Sequence, residues 1–558
     1  MSRNVLKSSI HSASINIVFQ ILCRCITFGI NSFVIRIVDR DALGIMNVRL
    51  LLLESTLAFL SREAIRRATL SSTSNPHEKH IWPHIINQLW LTLPIYCIFS
   101  VPCLYVWLNY GSAVADDIYD QYKFGCICIV VSGIIELFAE TPVFVAQVFC
   151  FVKLRVVLDT LHIFVRSTLF IVLILRDPNQ AISAFSYAQV GSTVTFAIGY
   201  YVYFIYFIDN AKKRIGATKR DDDNQTSDHQ TPDIDDSIPF NSIKQMLPGY
   251  LENSSGTIFN DNLKSLVLSF FKQGFLKQVL TEGERYVMTI SPLMSFSQQA
   301  TYDIVNNLGS LAARFVFRPI EENSYFYFTQ TLARDIPLVK QPRDKVEQAH
   351  SVLYNLLKVV TSIGLIGVVY GQSYAKTVLT LYGGTKFVDD DGLSVILLRC
   401  HALAIILLAV NGICEGYMFA TMTSNELDKY NYYMGFFSVT FLLLSYQLTS
   451  FLGPVGFILA NCTNMFLRII FSSRYIHKQY HSVNLKPLDG IKPNKLFFIT
   501  LIVLGIACKM SENRLFRQSV LGHIAVGAIC FACTLGVWAF ENQDLIKSYI
   551  DKRRQSTS

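Results

Sequence analysis

The chain has 558 residues, of which 51% are hydrophobic and 16% are charged. Soluble domains carry roughly 25% charged residues, so the composition excludes an ordinary soluble globular protein. The net charge of +8 is typical of a membrane protein with basic cytosolic loops, and does not by itself indicate nucleic-acid binding. The sequence therefore predicts an all-α protein that crosses the membrane many times.

Apolar stretches recur along most of the chain, and each is long enough to cross ~30 Å of hydrocarbon. Hydropathy and helix breakers delimit fourteen candidate spans. In chain order, their predicted limits are 12–38, 43–61, 84–108, 122–149, 155–176, 182–208, 258–280, 286–308 (running on towards 330), 352–371, 393–421, 433–451, 454–473, 496–509 and 518–540. The seventh and eighth spans are rich in polar residues, and the thirteenth is short.

The loops between these spans alternate in charge. Basic residues fill every second loop, whereas the others include "ADDIYDQ" at 115–121 and "VDDDG" at 388–392. One loop, "KMSENRLFRQ" at 509–518, breaks this pattern. The positive-inside rule therefore favours an even number of spans with both termini in the cytosol.

A long polar stretch at about 210–240 is first basic and then acidic, with no apolar pattern. It predicts a disordered cytosolic linker between two helical halves. The predicted organisation is an N-terminal lobe 1–209 with six spans, a linker 210–245, a C-terminal lobe 246–475 with six more, and 476–558 with two extra helices and a basic tail. A weak internal sequence repeat supports two halves, because Phe59 and Glu63 recur as Phe317 and Glu321 at the same offset of 258 residues.

Charged residues interrupt several spans, although a charge at mid-membrane costs about 2.5–3.5 kcal/mol on insertion scales. They include Arg24, Arg36, Arg49, Glu54, Glu136, Glu140, Asp159, His162, Arg166, Lys272, Glu282, Arg285, Asp303 and Arg314. One interpretation is a polar cavity between the two halves whose arginines bind an anionic group, since the planar guanidinium binds phosphate oxygens bidentately. The other is snorkelling near helix ends together with internal ion pairs. The polar region 246–322 predicts a cavity wall, with a re-entrant or interfacial helix as the alternative.

The stretch "FLSREAIRRA" at 59–68 concentrates these charges at the cytosolic end of the second span. Glu63 lies three and four residues before Arg66 and Arg67, so we expect it to neutralise one of them. Arg62 and Arg66 share another helix face, and no residue nearby in sequence neutralises both. The pair predicts either a contact for an anionic headgroup or a plain topological anchor.

Motifs for several other functions are missing. The sequence has no Gly-rich loop ending in Lys-Ser/Thr, no HExxH and no nucleophile elbow. Its cysteines lack the paired spacing of a zinc site and are expected to be core residues. "VDDDG" alone resembles the acidic motif of a membrane glycosyltransferase, and a solvated turn is favoured. We therefore expect no catalytic residue, no metal and no cofactor.

The stretches "FGINSFVIR" at 28–36, "NVRLLLLESTLAFLSREAIRRA" at 47–68, "FFKQGFLKQVLTEGERYVM" at 270–288, "YDIVNNLGSLAARFVFRPIEE" at 302–322 and "LYGG" at 381–384 resemble the eukaryotic Rft family. The resemblance covers about residues 10–540, without the linker. It implies a multi-pass protein of the endoplasmic reticulum membrane, in the multidrug/oligosaccharidyl-lipid/polysaccharide exporter superfamily. The implied fold is two pseudo-symmetric six-helix lobes around a central cavity, plus two C-terminal helices.

The resemblance also implies a cargo, a five-mannose, two-N-acetylglucosamine oligosaccharide on diphosphodolichol that moves from the cytosolic to the lumenal leaflet for N-glycosylation. The expected partners are this lipid, membrane lipid and enzymes of N-glycosylation, and not nucleic acid. Six arginines are the candidate headgroup contacts: Arg24, Arg36, Arg62 and Arg66 in the first lobe, and Arg285 and Arg314 in the second. Two alternatives remain, a non-transporting accessory or scaffold of the same pathway and a cation-coupled exporter of the same superfamily with Asp303 or Glu136 as its coupling site.

Overall fold

The computed structural model describes residues 26–72, 82–110, 113–149, 151–222, 238–250, 261–334, 336–389, 392–544 and 546–547. Within these residues the chain forms helices and no strands, which confirms the predicted all-α class. Eleven helices in this part of the chain are long and apolar enough to cross a membrane. The chain divides into two compact units, Met1–Ala300 and Thr301–Ser558.

Among the described residues of the first unit there are eight helices, which we number α1–α8. They are α1 (Ile26–Ile37), α2 (five consecutive stretches, Arg40–Gly44, Ile45–Leu50, Leu51–Ala58, Phe59–Glu63 and Ala64–Ser72), α3 (Trp82–Asn109), α4 (Asp116–Phe138), α5 (Glu140–Val148), α6 (Val152–Arg176), α7 (Ala181–Asp222) and α8 (Asp261–Ile290). Short 3₁₀ turns occur at Pro178–Gln180 and Ile243–Met246. The helix α7 continues to Asp222, about a dozen residues into the predicted linker, and 223–237 lie outside the described residues.

The remaining helices are numbered α9–α16. They are α9 (Phe296–Ala312, which contains the boundary between the units), α10 (Arg318–Thr331), α11 (Arg343–Gly383), α12 (Leu393–Thr421), α13 (Ser424–Leu452), α14 (Val455–His481), α15 (Lys495–Leu515) and α16 (Val520–Glu541). A π-helical stretch Ala313–Phe317 joins α9 to α10, and a short helix Thr385–Asp389 follows α11. Further 3₁₀ turns lie at Leu338–Lys340 and Pro487–Ile491.

Every predicted span overlaps a helix of the described residues, but several limits differ. The fourth span was predicted as one helix, 122–149, whereas the structure ends α4 at Phe138 and begins α5 at Glu140. Pro142 accounts for this break, because its ring clashes with the carbonyl four residues earlier. The seventh helix runs on to Ile290, so 286–290 belong to it and not to the eighth span. The first, seventh and eighth spans are not among the eleven helices that meet the membrane criterion.

Each unit has its own aromatic core. In the first unit, Trp82 of α3 packs edge-on against Phe240, with ring centroids 4.9 Å apart. In the second unit, Phe328 of α10 packs edge-on against Tyr417 of α12 at 5.0 Å. Burying such rings provides a large apolar area at low entropic cost. Within each unit, this packing fixes the helices firmly enough to position the charged side chains that they carry.

The helix α8 packs in the first unit against α2. Phe271 stacks on Phe59 with centroids 5.5 Å apart, and the hydroxyl groups of Tyr286 and Thr56 are 2.9 Å apart. Gly274 permits this approach, since a Cβ there would lie 3.1 Å from the Phe59 ring. The predicted lobes began a new half at 246, and that division stays a prediction.

Candidate functional site

A polar cavity of about 440 Å³ lies in the first unit between α2, α4 and α8. Its polar lining consists of Glu54, Ser55, Arg62, Glu63, Arg67, Glu136, Gln278 and Thr281. Gly274, Gln278 and Thr281 come from α8, which confirms that part of 246–322 forms a cavity wall. The motif "FLSREAIRRA" supplies one side of this cavity, and its first five residues form a π-helical stretch of α2.

The Phe59–Glu63 stretch is one of three π-helical segments in the described residues. The others are Ile45–Leu50 and Ala313–Phe317. Each contains one arginine, namely Arg49, Arg62 or Arg314. A π-bulge adds a residue to one turn and re-aims the following side chains, and such bulges are frequent at functional sites. In α2, Arg62 lies within the π-helical stretch and reaches Glu136 of α4.

Arg62 and Arg66 share two glutamates that the sequence placed four residues apart. Arg62 Nη1 lies 2.5 Å from Glu136 Oε1 and 3.7 Å from Glu140 Oε2. Arg66 Nε lies 3.5 Å from Glu140 Oε1, and its Nη2 donates to Gln147 Oε1 at 2.7 Å. The Glu140 side chain is 3% exposed, compared with 34% for Glu136. Glu140 is therefore the buried centre of the network, and Glu136 is its member at the cavity.

Two smaller interactions complete the charged lining. Arg67 Nη2 lies 2.6 Å from Glu63 Oε1, which confirms that Glu63 neutralises an arginine of its own helix. Glu54 Oε1 accepts from Gln189 Nε2 at 3.1 Å, and Gln189 Oε1 in turn accepts from Arg166 Nη1 at 3.2 Å. The bridging amide joins the carboxylate of α2 to the guanidinium of α6 through α7.

The formal charges of this network cancel, because four arginines (Arg62, Arg66, Arg67 and Arg166) face four glutamates (Glu54, Glu63, Glu136 and Glu140). The network around the empty cavity therefore carries no net formal charge in the membrane, where isolated charges are costly. An anion that enters must compete with the carboxylates for the guanidinium groups. The arrangement can therefore exchange one anionic partner of Arg62 for another.

The other candidate arginines lie elsewhere. Arg36 is exposed on α1, and Arg24 lies outside the described residues. Arg285 lies one turn after the cavity-lining Thr281, and its Nη1 donates to Glu282 Oε2 at 3.2 Å. Arg314, in the second unit, donates from Nη2 to the Asn307 carbonyl and to Ser310 Oγ, both at 2.8 Å. The structure thus brings Arg62 and Arg66 together and leaves the other described candidates outside their network.

Sequence reasoning missed a second buried network, which lies in the second unit. Arg468 of α14 binds the carboxylate of Glu415 of α12 through two nitrogens of its guanidinium group. Nε donates to Oε1 at 2.7 Å, and Nη2 donates to Oε2. Tyr430 Oη donates to Glu415 Oε1 at 2.5 Å, and Asn411 Nδ2 donates to Oε2 at 3.1 Å. Both Glu415 and Arg468 interrupt apolar runs, "NGICEGYMFA" and "NMFLRIIF". The criterion that selected Glu136 and Glu140 would have found them.

The described residues contain no group of three or more histidine, cysteine, aspartate or glutamate side chains placed to hold a metal ion. The ten cysteines in this part of the chain are free thiols, and half of them are buried.

Comparison with known proteins extends over almost the whole chain. A family model described as "Rft protein" matches residues 8–552. The Man(5)GlcNAc(2)-PP-dolichol translocation protein RFT1 of Drosophila melanogaster is 53% identical over 556 residues, which are 98% of each chain. The protein of that name from Xenopus tropicalis is 38% identical over 562 residues, 99% of each chain.

A solved structure has the same fold at low sequence identity. The lipid II flippase MurJ, in an inward closed conformation, superposes with a TM-score of 0.60 at 11% identity, covering 95% of this chain and 100% of that one. At this identity the likeness describes the backbone arrangement alone. The family model and the full-length relatives carry the assignment, and the chain is a member of the Rft protein family.

Proposed function

We propose that this chain moves the dolichol-diphosphate-linked oligosaccharide with five mannoses and two N-acetylglucosamines from the cytosolic to the lumenal leaflet of the endoplasmic reticulum membrane. The product then serves protein N-glycosylation. The names of two relatives that match nearly the full chain support this cargo. The flippase-like backbone supports movement of a lipid over enzymatic catalysis.

The observation that carries the proposal is the charge-balanced network around the first-unit cavity. A diphosphate headgroup needs several charge-assisted donors to replace its water, and guanidinium groups provide them in pairs. Arg62 lines the cavity, and its side chain remains 21% exposed while paired with Glu136. A phosphate oxygen that reaches Arg62 can take the position of the Glu136 carboxylate. The arginine then stays paired before and after the headgroup binds.

We propose Arg62 and Arg66 as the principal headgroup contacts, because the structure brings them to one network. Arg24, Arg36, Arg285 and Arg314 remain candidates on the family resemblance alone. The fourteen spans, the two six-helix lobes around a central cavity, and cytosolic termini complete the proposal. With the headgroup in the cavity, a lateral opening would leave the polyprenyl tail in the surrounding lipid.

Reconstitution tests this function. The purified full-length chain is placed in liposomes with the authentic dolichol-linked oligosaccharide, and a lectin added outside reports the accessible fraction of glycan over time. We expect the wild type to expose the inner pool, Arg62→Gln to slow this at least tenfold, and Arg343→Gln to behave as the wild type. Arg343 is the matched control because its side chain is 90% exposed and pairs with Glu347 on the same helix.

The alternatives give different outcomes in the same assay. If wild-type and empty liposomes behave alike, the chain does not move this lipid unaided, and the accessory or scaffold function replaces the proposal. If movement occurs only with a pH or sodium gradient, the cation-coupled alternative gains support. Equal rates for wild type and Arg62→Gln would retain the function and remove Arg62 from the headgroup path.

A further inference from the structure

A second cavity, of about 210 Å³, lies wholly within the second unit between α9, α12 and α14. Five polar side chains line it: Tyr302, Asn306, Ser310, His401 and Asn461. No aspartate, glutamate, lysine or arginine is among its lining residues. Its chemistry therefore differs from that of the ion-paired cavity in the first unit.

Three of these side chains have unused hydrogen-bonding capacity. Among the residues that the structure describes, none forms a hydrogen bond with the side chains of Asn306, His401 or Asn461. They come from three different helices and converge on one space. Polar groups that lose contact with water are usually paired, because an unpaired donor or acceptor is costly. Their convergence indicates a ligand or water that completes the bonds.

The backbone is shaped to admit the imidazole. A Cβ at Gly309 would lie 2.0 Å from His401 Cδ2, so only glycine leaves room for this ring against α9. At another wall, the Tyr302 ring lies 5.4 Å from the Phe457 ring in a tilted arrangement. Aliphatic side chains, among them Ile405, supply apolar surface between the polar groups. The lining thus combines amides, an imidazole, a phenol and aliphatic carbon.

This combination suits a neutral ring that carries hydroxyl or acetamido groups. Each sugar hydroxyl both donates and accepts, as do an asparagine amide and a neutral imidazole. The C–H faces of a pyranose match the aliphatic lining, whereas a phosphate would find no cation there. The volume equals that of about seven waters at ~30 Å³ each, and lies below the ~300–1,000 Å³ of drug-sized pockets. It accommodates one sugar ring and not a whole oligosaccharide.

We propose that the cavity between α9, α12 and α14 binds one pyranose ring of the glycan cargo through Asn306, His401 and Asn461. The inference rests on the proposed function, because the ring belongs to the lipid-linked oligosaccharide. It assigns sugar recognition to the second unit and diphosphate contact to the first. A cargo without sugar would leave the polar groups of this cavity unpaired and would therefore bind less tightly.

Binding to two lipids tests this division. Purified full-length protein in nanodiscs is titrated with the authentic dolichol-linked oligosaccharide and with dolichyl diphosphate that lacks sugar. We expect the wild type to bind the glycosylated lipid at least tenfold more tightly. Asn306→Ala and Asn461→Ala should each remove most of that preference while binding to dolichyl diphosphate stays within twofold of wild type. Ala404→Leu, which fills the cavity and keeps both amides, should do the same.

Asn323→Ala is the matched control, since the exposed Asn323 side chain donates to the Pro319 carbonyl of its own helix. It should keep the full preference. Thermal unfolding of every variant identifies any that fails to fold, and the cavity-filling variant keeps the test open if an asparagine variant does. An unchanged preference in the folded variants, or an equal loss for both lipids, would overturn the sugar site and leave the cavity to water. A wild type that binds neither lipid would instead overturn the proposed function, and the sugar site with it.

Discussion

Arg62 Nη1 lies 2.5 Å from Glu136 Oε1, across 74 residues of sequence. The two side chains join α2 to α4 at the wall of the first-unit cavity, and both remain partly exposed to it. Salt bridges at such sites contribute less to stability than their short distances suggest, because desolvation offsets much of the attraction. A pair that contributes little net stability can exchange a partner at little cost, which is what a transient headgroup contact requires.

The buried end of this network should matter most for stability. Glu140 faces both Arg62 and Arg66 and is almost fully buried, so Glu140→Gln leaves two guanidinium groups with less compensation. We expect the free energy of unfolding in detergent micelles to fall by about 2–3 kcal/mol, near the low end for breaking a buried pair.

Glu63→Gln is the matched comparison for that prediction. The Glu63 side chain is 42% exposed and its pair with Arg67 is local to one helix. Exposed pairs contribute at most ~1 kcal/mol, so this variant should unfold close to the wild type. Equal losses for Glu63→Gln and Glu140→Gln would contradict the buried-centre assignment.

Exchanging the two charges separates structure from transport. Arg62→Glu and Glu136→Arg should each reduce the yield of folded protein, because each places like charges together. The double variant restores an ion pair between α2 and α4, but the carboxylate at position 62 then also faces Glu140, so it should recover only part of the yield. It moves the guanidinium group to α4, so lectin-detected movement in liposomes should stay at least tenfold below wild type. Full recovery of movement would show that the pair acts only as a structural tie.

The network around Glu415 is expected to be structural. Arg468→Met removes the bidentate partner and leaves a buried carboxylate with only Tyr430 and Asn411, so we expect a loss of about 3–5 kcal/mol in unfolding free energy. Adding Glu415→Leu removes the stranded charge and should return more than half of that loss. Denaturant unfolding of both variants measures the difference. A double variant less stable than the single one would contradict this account.

Close packing between α13 and α14 makes a sharper prediction. A Cβ at Gly456 would lie 2.4 Å from the Leu448 carbonyl carbon and the Thr449 nitrogen, and backbone cannot move aside as a side chain can. Gly456→Ala should therefore abolish most of the yield of folded protein, as measured by size-exclusion chromatography. Gly435 lies on α13, and nothing lies within 4 Å of a methyl group added there. Gly435→Ala should therefore leave the free energy of unfolding unchanged or raise it by up to about 1 kcal/mol. Normal yield of Gly456→Ala would contradict the close approach.

Hydropathy alone predicted most of the helices. The predicted tenth span, 393–421, coincides with α12 (Leu393–Thr421), because an apolar run bounded by glycine or polar residues is a local signal. The break at Ala139 and the long course of α8 were not predicted. Pro142 was visible in the sequence, but a proline within an apolar run either kinks or ends a helix, and packing decides which.

The candidate site was predicted in part. The sequence selected Glu136 and Glu140 as charges within the fourth span and Arg62 and Arg66 as one face of the second, yet it contained no reason to join them. The bridge from Glu54 through Gln189 to Arg166 uses a neutral amide that no charge-based search selects.

By itself the sequence determined that this is an all-helical membrane protein of the Rft family with charged residues inside its apolar spans. Composition and hydropathy are properties of short segments, and family motifs are read directly from residues. Only the tertiary structure decided which charges neutralise one another and which polar groups stay available to a ligand. Those outcomes depend on the rotation and approach of helices distant in sequence, which large apolar contacts set, while each ion pair adds only a small net free energy.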